Sequence, residues 1–345
     1  MKTSFHAITA DGQGHVGGAD GESRSLHGAY DDVLRQGRWR GVMLAGSGLA
    51  ALRAGQACTE LELAWHDSGG AMGEALVERA RRWGCDALHP GEATAEEQWH
   101  LARCCSRSGL AFIGPRESLI AAMCDDDAAR QLMREAGLPL GEMSEQALRV
   151  HLPVLADSRG QALALVEHQL LGATFAMAPS ERLTPEQRAY LGQLAVQGAR
   201  SLGLVGLATL SFSLAENRLG FVSMRPGLTG YEGLAEVLSG LDLAVEQIRL
   251  VAGERLRRPR VGHMGYGPGR PGQARWRLLL PGGGQLGGGP GVRLDRPTPE
   301  AGKTEMRLLV WGRDGAEARR RERRALAEWY GRPTGVSEDS NGAGE

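Results

Sequence analysis

The strongest constraint on this chain is an alternation that runs from Gly41 to Ile113. Short apolar runs take turns with amphipathic stretches, and glycine closes several of the latter. Val42-Met-Leu-Ala45 leads into the turn Gly46-Ser-Gly48 and a helical pattern over Leu49 to Thr59. Leu61 to Trp65 reads as a second strand, and Glu74 to Trp83 as an amphipathic helix capped by Gly84. Cys85-Asp-Ala-Leu88 and Leu110 to Ile113 are further strands, separated by a helix over Glu96 to Ser108 that stops at Gly109. Such alternation predicts a parallel α/β sheet of Rossmann-like kind.

Different patterns follow. Glu117 to Met123 and Asp125 to Ala136 are helical, and Val154 to Ala156 and Ala162 to Val166 read as strands around the turn Asp157-Ser-Arg-Gly160. Thr184-Pro-Glu-Gln187 is a helix start: threonine caps, proline takes the first turn, and glutamine lies three residues after the cap. That helix should run to Gly203. Ala208 to Leu214 and Leu219 to Met224 predict a hairpin around Glu216-Asn-Arg218, and Asp242 to Val251 a helix. Glycine and proline dominate from Pro259 to Pro299, with a strand at Arg275 to Leu280. Met306 to Trp311 reads as a strand and Ala316 to Trp329 as a helix. The first 38 residues are polar and glycine-rich, too poor in apolar groups to offset the entropy of ordering, though His27 to Arg38 has a helical pattern.

Composition excludes several classes. The net charge is −1, so no global field draws the chain to nucleic acid or anionic lipid. Arg319 to Arg324 is interleaved with Glu317, Glu322 and Glu328 and reads as a solvated helix face. No apolar run approaches the roughly 20 residues of a membrane span, and an odd set of five cysteines suits a reducing, cytoplasmic setting. Cys104 and Cys105, adjacent on a helix, read as packing residues. His66-Asp67 and His89 lack a metal-ligand spacing, and His89 reads as shaping the turn before Gly91. Gly46-Ser-Gly48 lacks the third glycine of a dinucleotide loop. Gly282-Gly-Gly-Gln-Leu-Gly-Gly-Gly-Pro290 lacks the Gly-Lys-Ser/Thr ending of a phosphate loop and reads as a mobile loop.

Literal motifs carry a resemblance. Ala45-Gly-Ser-Gly-Leu49 with Ala51-Leu-Arg53, Asp86-Ala-Leu-His-Pro-Gly91, Phe112 to Pro115, and Ala129-Arg130 with Ala136-Gly-Leu-Pro139 occur in this order. Val154 to Asp157, Pro290-Gly-Val-Arg293 and Leu309-Val-Trp-Gly-Arg313 follow. Over residues 41 to 330 the chain resembles the biotin carboxylase family. The resemblance implies an α/β protein: a Rossmann-like (pre-ATP-grasp) N-terminal domain over 39–123, a truncated ATP-grasp core over 124–256, and a small β-rich C-terminal domain over 257–331. An extension (1–38) and a tail (332–345) would flank them and be disordered.

The family activates bicarbonate with MgATP and carboxylates biotin on a carrier protein. That chemistry needs cations on phosphate and carboxylates on magnesium. Lys2 and Lys303 are the only lysines against thirty-eight arginines. Where the family has Gly-Asp-Lys, this chain has Cys124-Asp-Asp126. A charge pair at ~4 Å in a dielectric of ~20 is worth about 4 kcal/mol, and here its sign is reversed. The family's lid has only Leu140 to Pro153 in its place, and Glu167-His-Gln-Leu-Leu171 replaces another of its motifs. Its two metal-binding carboxylates fall at Ser211 and Ser223. Its asparagine, arginine and general-base glutamate become Arg225, Gly227 and Tyr231. Arg293 alone stands where the family's bicarbonate-contacting arginine stands.

The expectation is therefore a catalytically inactive family member with no cofactor. It would act as an interaction or regulatory subunit beside a biotin carboxyl carrier protein or a carboxylase subunit, and the resemblance implies a homodimer. Two other readings stand beside it. One is a divergent ATP- and Mg-dependent ligase, with Asp125, Asp126, Asp127, Glu216 or Glu232 as substitute ligands. The other is a small-molecule sensor using the residual cleft.

Overall fold

The computed structural model describes residues 39–46, 48–257, 272–280, 283–296 and 306–331. The N-terminal extension with its His27 to Arg38 pattern, both lysines, the C-terminal tail and much of the glycine- and proline-rich stretch lie outside these residues.

The first unit is built from β1 (Gly41–Leu44), α1 (Leu49–Glu60), β2 (Ala64–Asp67), α2 (Gly73–Arg82), β3 (Ala87–His89), α3 (Ala95–Ser108) and β4 (Ala111–Phe112). The strands form a parallel sheet in the order β2-β1-β3-β4. Helices cover both faces, which is why its central strands read as unbroken apolar runs. Met43, Leu88 and Phe112 pack against Leu76 and Leu101 on one face. Val42, Leu44 and Ile113 pack against Ala54, Cys58 and Ile248 on the other. The second strand lies later than the Leu61 to Trp65 expected. Leu61 N–H still donates to Ala57, Glu62 takes a positive φ of 58°, and Leu63 N–H reaches back to Cys58. Leu61 and Leu63 are apolar because they cover the core below that helix end.

Local rules set the helix ends. Thr94 and Glu97 form a reciprocal capping box at α3, and Gly109 closes it with φ 70°. Next come α4 (Glu117–Met123), α5 (Asp126–Glu135), β5 (Leu148–Ala156), β6 (Ala162–Ala164), β7 (Gln169–Leu170), β8 (Phe175–Ala178) and α6 (Pro185–Ser201). Thr184 and Gln187 make the second capping box, with Pro185 in the first turn of α6. β9 (Gly206–Ala215) and β10 (Arg218–Pro226) are a hairpin. Glu216 and Asn217 both have positive φ there, as a two-residue turn matched to strand twist requires.

The second sheet is antiparallel, β10-β9-β5-β6. One face buries Val150, Leu152, Leu210, Phe212 and Phe221 against Met133 and Leu191 of the helices below. Full burial of each large side chain contributes about 1.5–3 kcal/mol. The opposite face is divided: Leu155, Leu163 and Leu207 pack against Leu243 and Leu250, while Arg149, His151, Thr209, Ser211 and Ser213 make the rest of it polar.

α7 (Glu232–Ser239) and α8 (Leu243–Val251) follow, then β11 (Gln273–Leu279), β12 (Val292–Asp295), β13 (Met306–Gly312) and α9 (Gly315–Trp329). The third sheet runs β12-β13-β11-β8-β7, so two of its strands come from residues 169–178, far upstream. The expected C-terminal domain over 257–331 thus shares its sheet with the middle of the chain. No helix among the described residues is long and apolar enough to cross a membrane.

The glycine-rich stretch 283–289 is not a free loop. Gly284 N–H donates to the Trp329 carbonyl at 2.6 Å, Gly287 N–H to Glu328 at 3.1 Å, and Arg324 donates to the Gly288 carbonyl at 3.0 Å. A Cβ at Gly283 would lie 2.0 Å from the Trp329 ring, so close packing on α9 accounts for that glycine.

Candidate functional site

The three sheets meet around a cleft with two contrasting halves. The first half, about 250 Å³, is lined by Arg53, Glu92, Glu236, Arg293, Asp295 and Arg307 among others. Arg293 makes a two-pronged contact with Asp295, Nε to Oδ1 and Nη2 to Oδ2, both 2.8 Å. Its Nη1 donates to Glu236 Oε2 at 3.0 Å. The other Glu236 oxygen accepts from Arg53 at 3.1 Å and from Leu243 N–H at 3.1 Å. Arg53 also reaches Asp242 at 2.5 Å. Burial alone would lower the Arg293 pKa, but the Asp295 hydrogen bonds and the Glu236 charge outweigh it and hold it raised. Arg293 is therefore engaged on both sides, in a network that ties α1, α7 and β12 together.

The second half, about 320 Å³, lies over the polar face of the antiparallel sheet. Cross-strand register sets His151 beside Ser211, and Ser211 beside Ser223. His151 Nδ1 lies 2.8 Å from Ser211 Oγ. Burial first, then the charges of Arg225 and Arg149, lowers the His151 pKa to about 4. His168 lies well below its ordinary value for the same leading reason. Both imidazoles are thus neutral at pH 7. They stack on each other and on Tyr231, against which Trp276 lies tilted, at successive centroid spacings of 5.3, 5.4 and 4.8 Å.

The other predicted residues are scattered. Asp125 caps α5, accepting from Asp127 and Ala128 N–H at 2.8 and 3.2 Å, so the acidic run beginning there is a helix start. Glu216 sits at a hairpin tip, paired with Arg218. Glu232 folds onto its own loop, accepting from the N–H groups of Thr229 and Gly230, and burial raises its pKa. Gly227, with φ 68°, passes close to Gln247 and Gln98. Among the described residues no three His, Cys, Asp or Glu side chains are placed to hold a metal ion. Arg130 donates to the carbonyls of Gly141 and Phe221. Residues 136–147 pass from α5 to β5 with no helix or strand between them.

Glu167 is buried and serves structure, accepting from Ser180 N–H at 3.2 Å and Arg188 at 2.8 Å. His89 Nδ1 accepts from Gly91 N–H at 3.0 Å and so shapes its turn. His66 packs edge-on against Trp83, and Asp67 accepts from Gly69 N–H. Cys105 is fully buried and its thiol is pushed up to about 12 by that burial, whereas Cys104 is partly exposed. Glu322 of α9 clamps Arg275 and Arg277. Gly46 and Gly48 line a third, mainly apolar hollow of about 690 Å³ at the carboxyl ends of β1 and β3. Glu92 Oε1 accepts from Ala50 N–H there at 3.3 Å, so a carboxylate stands at the helix start that a phosphate would need.

Sequence reasoning missed Gln98, His151, His168 and Glu236. Gln98 and Glu236 look like solvent-facing helix residues, and they are buried only because distant segments close over them. A histidine pair joined by an isolated bridge between residues 151 and 168 leaves no local signal.

The face where the resemblance puts metal-binding carboxylates presents hydroxyls and neutral imidazoles. Magnesium favours carboxylate oxygen, and neither Ser211 nor Ser223 supplies it.

Comparison with known proteins places this architecture. Two family models match: the biotin carboxylase N-terminal domain over residues 66–120, and the carbamoyl-phosphate synthase L chain ATP binding domain over 128–259. In Hydrogenobacter thermophilus, the 2-oxoglutarate carboxylase small subunit is 27% identical over 53% of this chain, which spans 55% of that relative. The biotin carboxylase of a Nostoc species is 26% identical over 73% of this chain and 77% of its own length. The crystallised biotin carboxylase domain dimer of the Hydrogenobacter thermophilus 2-oxoglutarate carboxylase, with MgADP, ADP and bicarbonate, shares the fold. Its TM-score is 0.73 at 22% identity, covering 85% of this chain and 91% of that one. Fold and matches together define a mixed α/β protein of the ATP-grasp class. The chain belongs to the biotin carboxylase family.

Proposed function

We propose that this chain is a non-catalytic member of its family, lacking the ATP-grasp lid and acting as an interaction or regulatory subunit of a biotin-dependent carboxylase system. The observation that carries this reading is the chemistry of the sheet face: Ser211 and Ser223, where the resemblance puts the family's metal-binding carboxylates, lie side by side with His151 next to Ser211 and offer no anionic ligand. Arg293 supports it too, since Asp295 and Glu236 already engage its guanidinium. Its partners would be a biotin carboxyl carrier protein, a carboxylase subunit or a second copy of itself. The test is bicarbonate-dependent ATP hydrolysis with free biotin and Mg²⁺. No rate above background is expected, and a clear rate abolished by Arg293→Ala would overturn the reading.

A second reading draws on the position of Arg293 in the cleft wall: a divergent ATP-dependent carboxylase that recruits its metal ligands elsewhere. It predicts Mg²⁺-dependent nucleotide binding. Absence of such binding would dismiss it.

A further inference from the structure

The second half of the cleft carries hydrogen-bonding capacity that the chain does not use. Gln98 and His168 are each only 2% exposed, and both line this hollow. Gln98 donates through Nε2 to the carbonyls of Ala93 and Pro226, but its Oε1 has no partner. His168 Nδ1 has none either. Buried polar atoms are costly to leave unpaired, so such a pair marks a place where another molecule supplies the missing groups.

The charge of the hollow is one-sided. Arg225, exposed at the end of β10, has no ion-pair partner among the described residues. Its charge and that of Arg149 both act on His151. Glu92, the carboxylate that lines the hollow, is turned toward Ala50 N–H and Arg307. The rings of His151, His168 and Tyr231 stack in a column along the hollow. A volume of about 320 Å³ suits one ring with a short substituent.

We propose that this hollow binds a small planar organic carboxylate: its anion meets Arg225 and the His151–Ser211 pair, and its ring lies along His168 and Tyr231. A ring hydroxyl or N–H donates to Gln98 Oε1. The inference goes beyond the non-catalytic reading, since a chain that holds no nucleotide can still sense a metabolite. No metal is needed, because the protein supplies the positive charge.

The test is calorimetric titration of the full chain with 4-hydroxybenzoate, benzoate and 4-hydroxybenzamide. Saturable 4-hydroxybenzoate binding is expected, weakened at least about tenfold in Arg225→Gln and in the uncharged amide. Gln98→Leu should weaken 4-hydroxybenzoate more than benzoate. Circular dichroism and thermal melting show whether each variant is folded. Absence of binding at millimolar 4-hydroxybenzoate would overturn the proposal. So would equal binding of the acid and the amide, or unchanged binding in folded Arg225→Gln.

Discussion

The two halves of the cleft use polar residues in opposite ways. Around Glu236, two guanidiniums and three carboxylates satisfy one another within 3.1 Å and join three parts of the molecule. Around His168, neutral imidazoles, hydroxyls and one unpaired guanidinium leave hydrogen-bonding capacity open. The difference teaches that a charged residue in a cleft is not thereby a binding residue. Arg293 is held by its own fold, whereas Arg225 is free to meet a ligand.

The contrast breaks most visibly if Glu236 is removed. Glu236→Ala leaves Arg53 and Arg293 without their shared carboxylate; Asp242 and Asp295 still hold them, so the cost is about 2–3 kcal/mol, that of losing charged hydrogen bonds. Urea unfolding should show that loss, and a change under 1 kcal/mol would deny the network its structural role.

Acid should act through the histidines. His89 is fully buried and its pKa is lowered to about 4, chiefly by burial, as is that of His151. A lowered folded-state pKa means that the unfolded chain binds the proton more tightly. Stability is therefore full above about pH 6.5 and falls as pH drops toward about 4. The His89 contribution alone is on the order of 3 kcal/mol. Unfolding midpoints measured from pH 7.5 to 4.5 check the sign, and a flat profile would contradict the burial argument.

Smaller effects sharpen the comparison. Thr184→Ala removes one half of a capping box and should cost about 1 kcal/mol by the same assay. Arg225→Gln should change stability by no more than about 0.5 kcal/mol, because the side chain is exposed and makes no ion pair among the described residues. A large loss there would mean that Arg225 is structural after all.

Much of the fold was legible because its signals are local. Gly109, Thr184, Pro185 and the Glu216-Asn217 turn act within a few residues, and each sets an element boundary where the sequence places it. What stayed hidden depends on distant pairing. Phe175 to Ala178 is a strand only because Arg275 and its neighbours lie beside it much later in the chain. Helix α7 starts after Tyr231 with no side-chain cap to announce it. The resemblance led to Arg293 as the surviving site residue, but a single position carries no information about Glu236 and Asp295 closing on it. The orphan atoms of Gln98 and His168 arise from segments that meet only in the folded molecule.

On the non-catalytic reading, the polar sheet face does not handle a Mg-nucleotide. Calorimetric titration of the purified chain with ATP and Mg²⁺ tests it most directly. No heat of binding is expected, with Mg²⁺ present or absent. Saturable binding at micromolar ATP that requires Mg²⁺ would contradict it and return the chain to its family's chemistry.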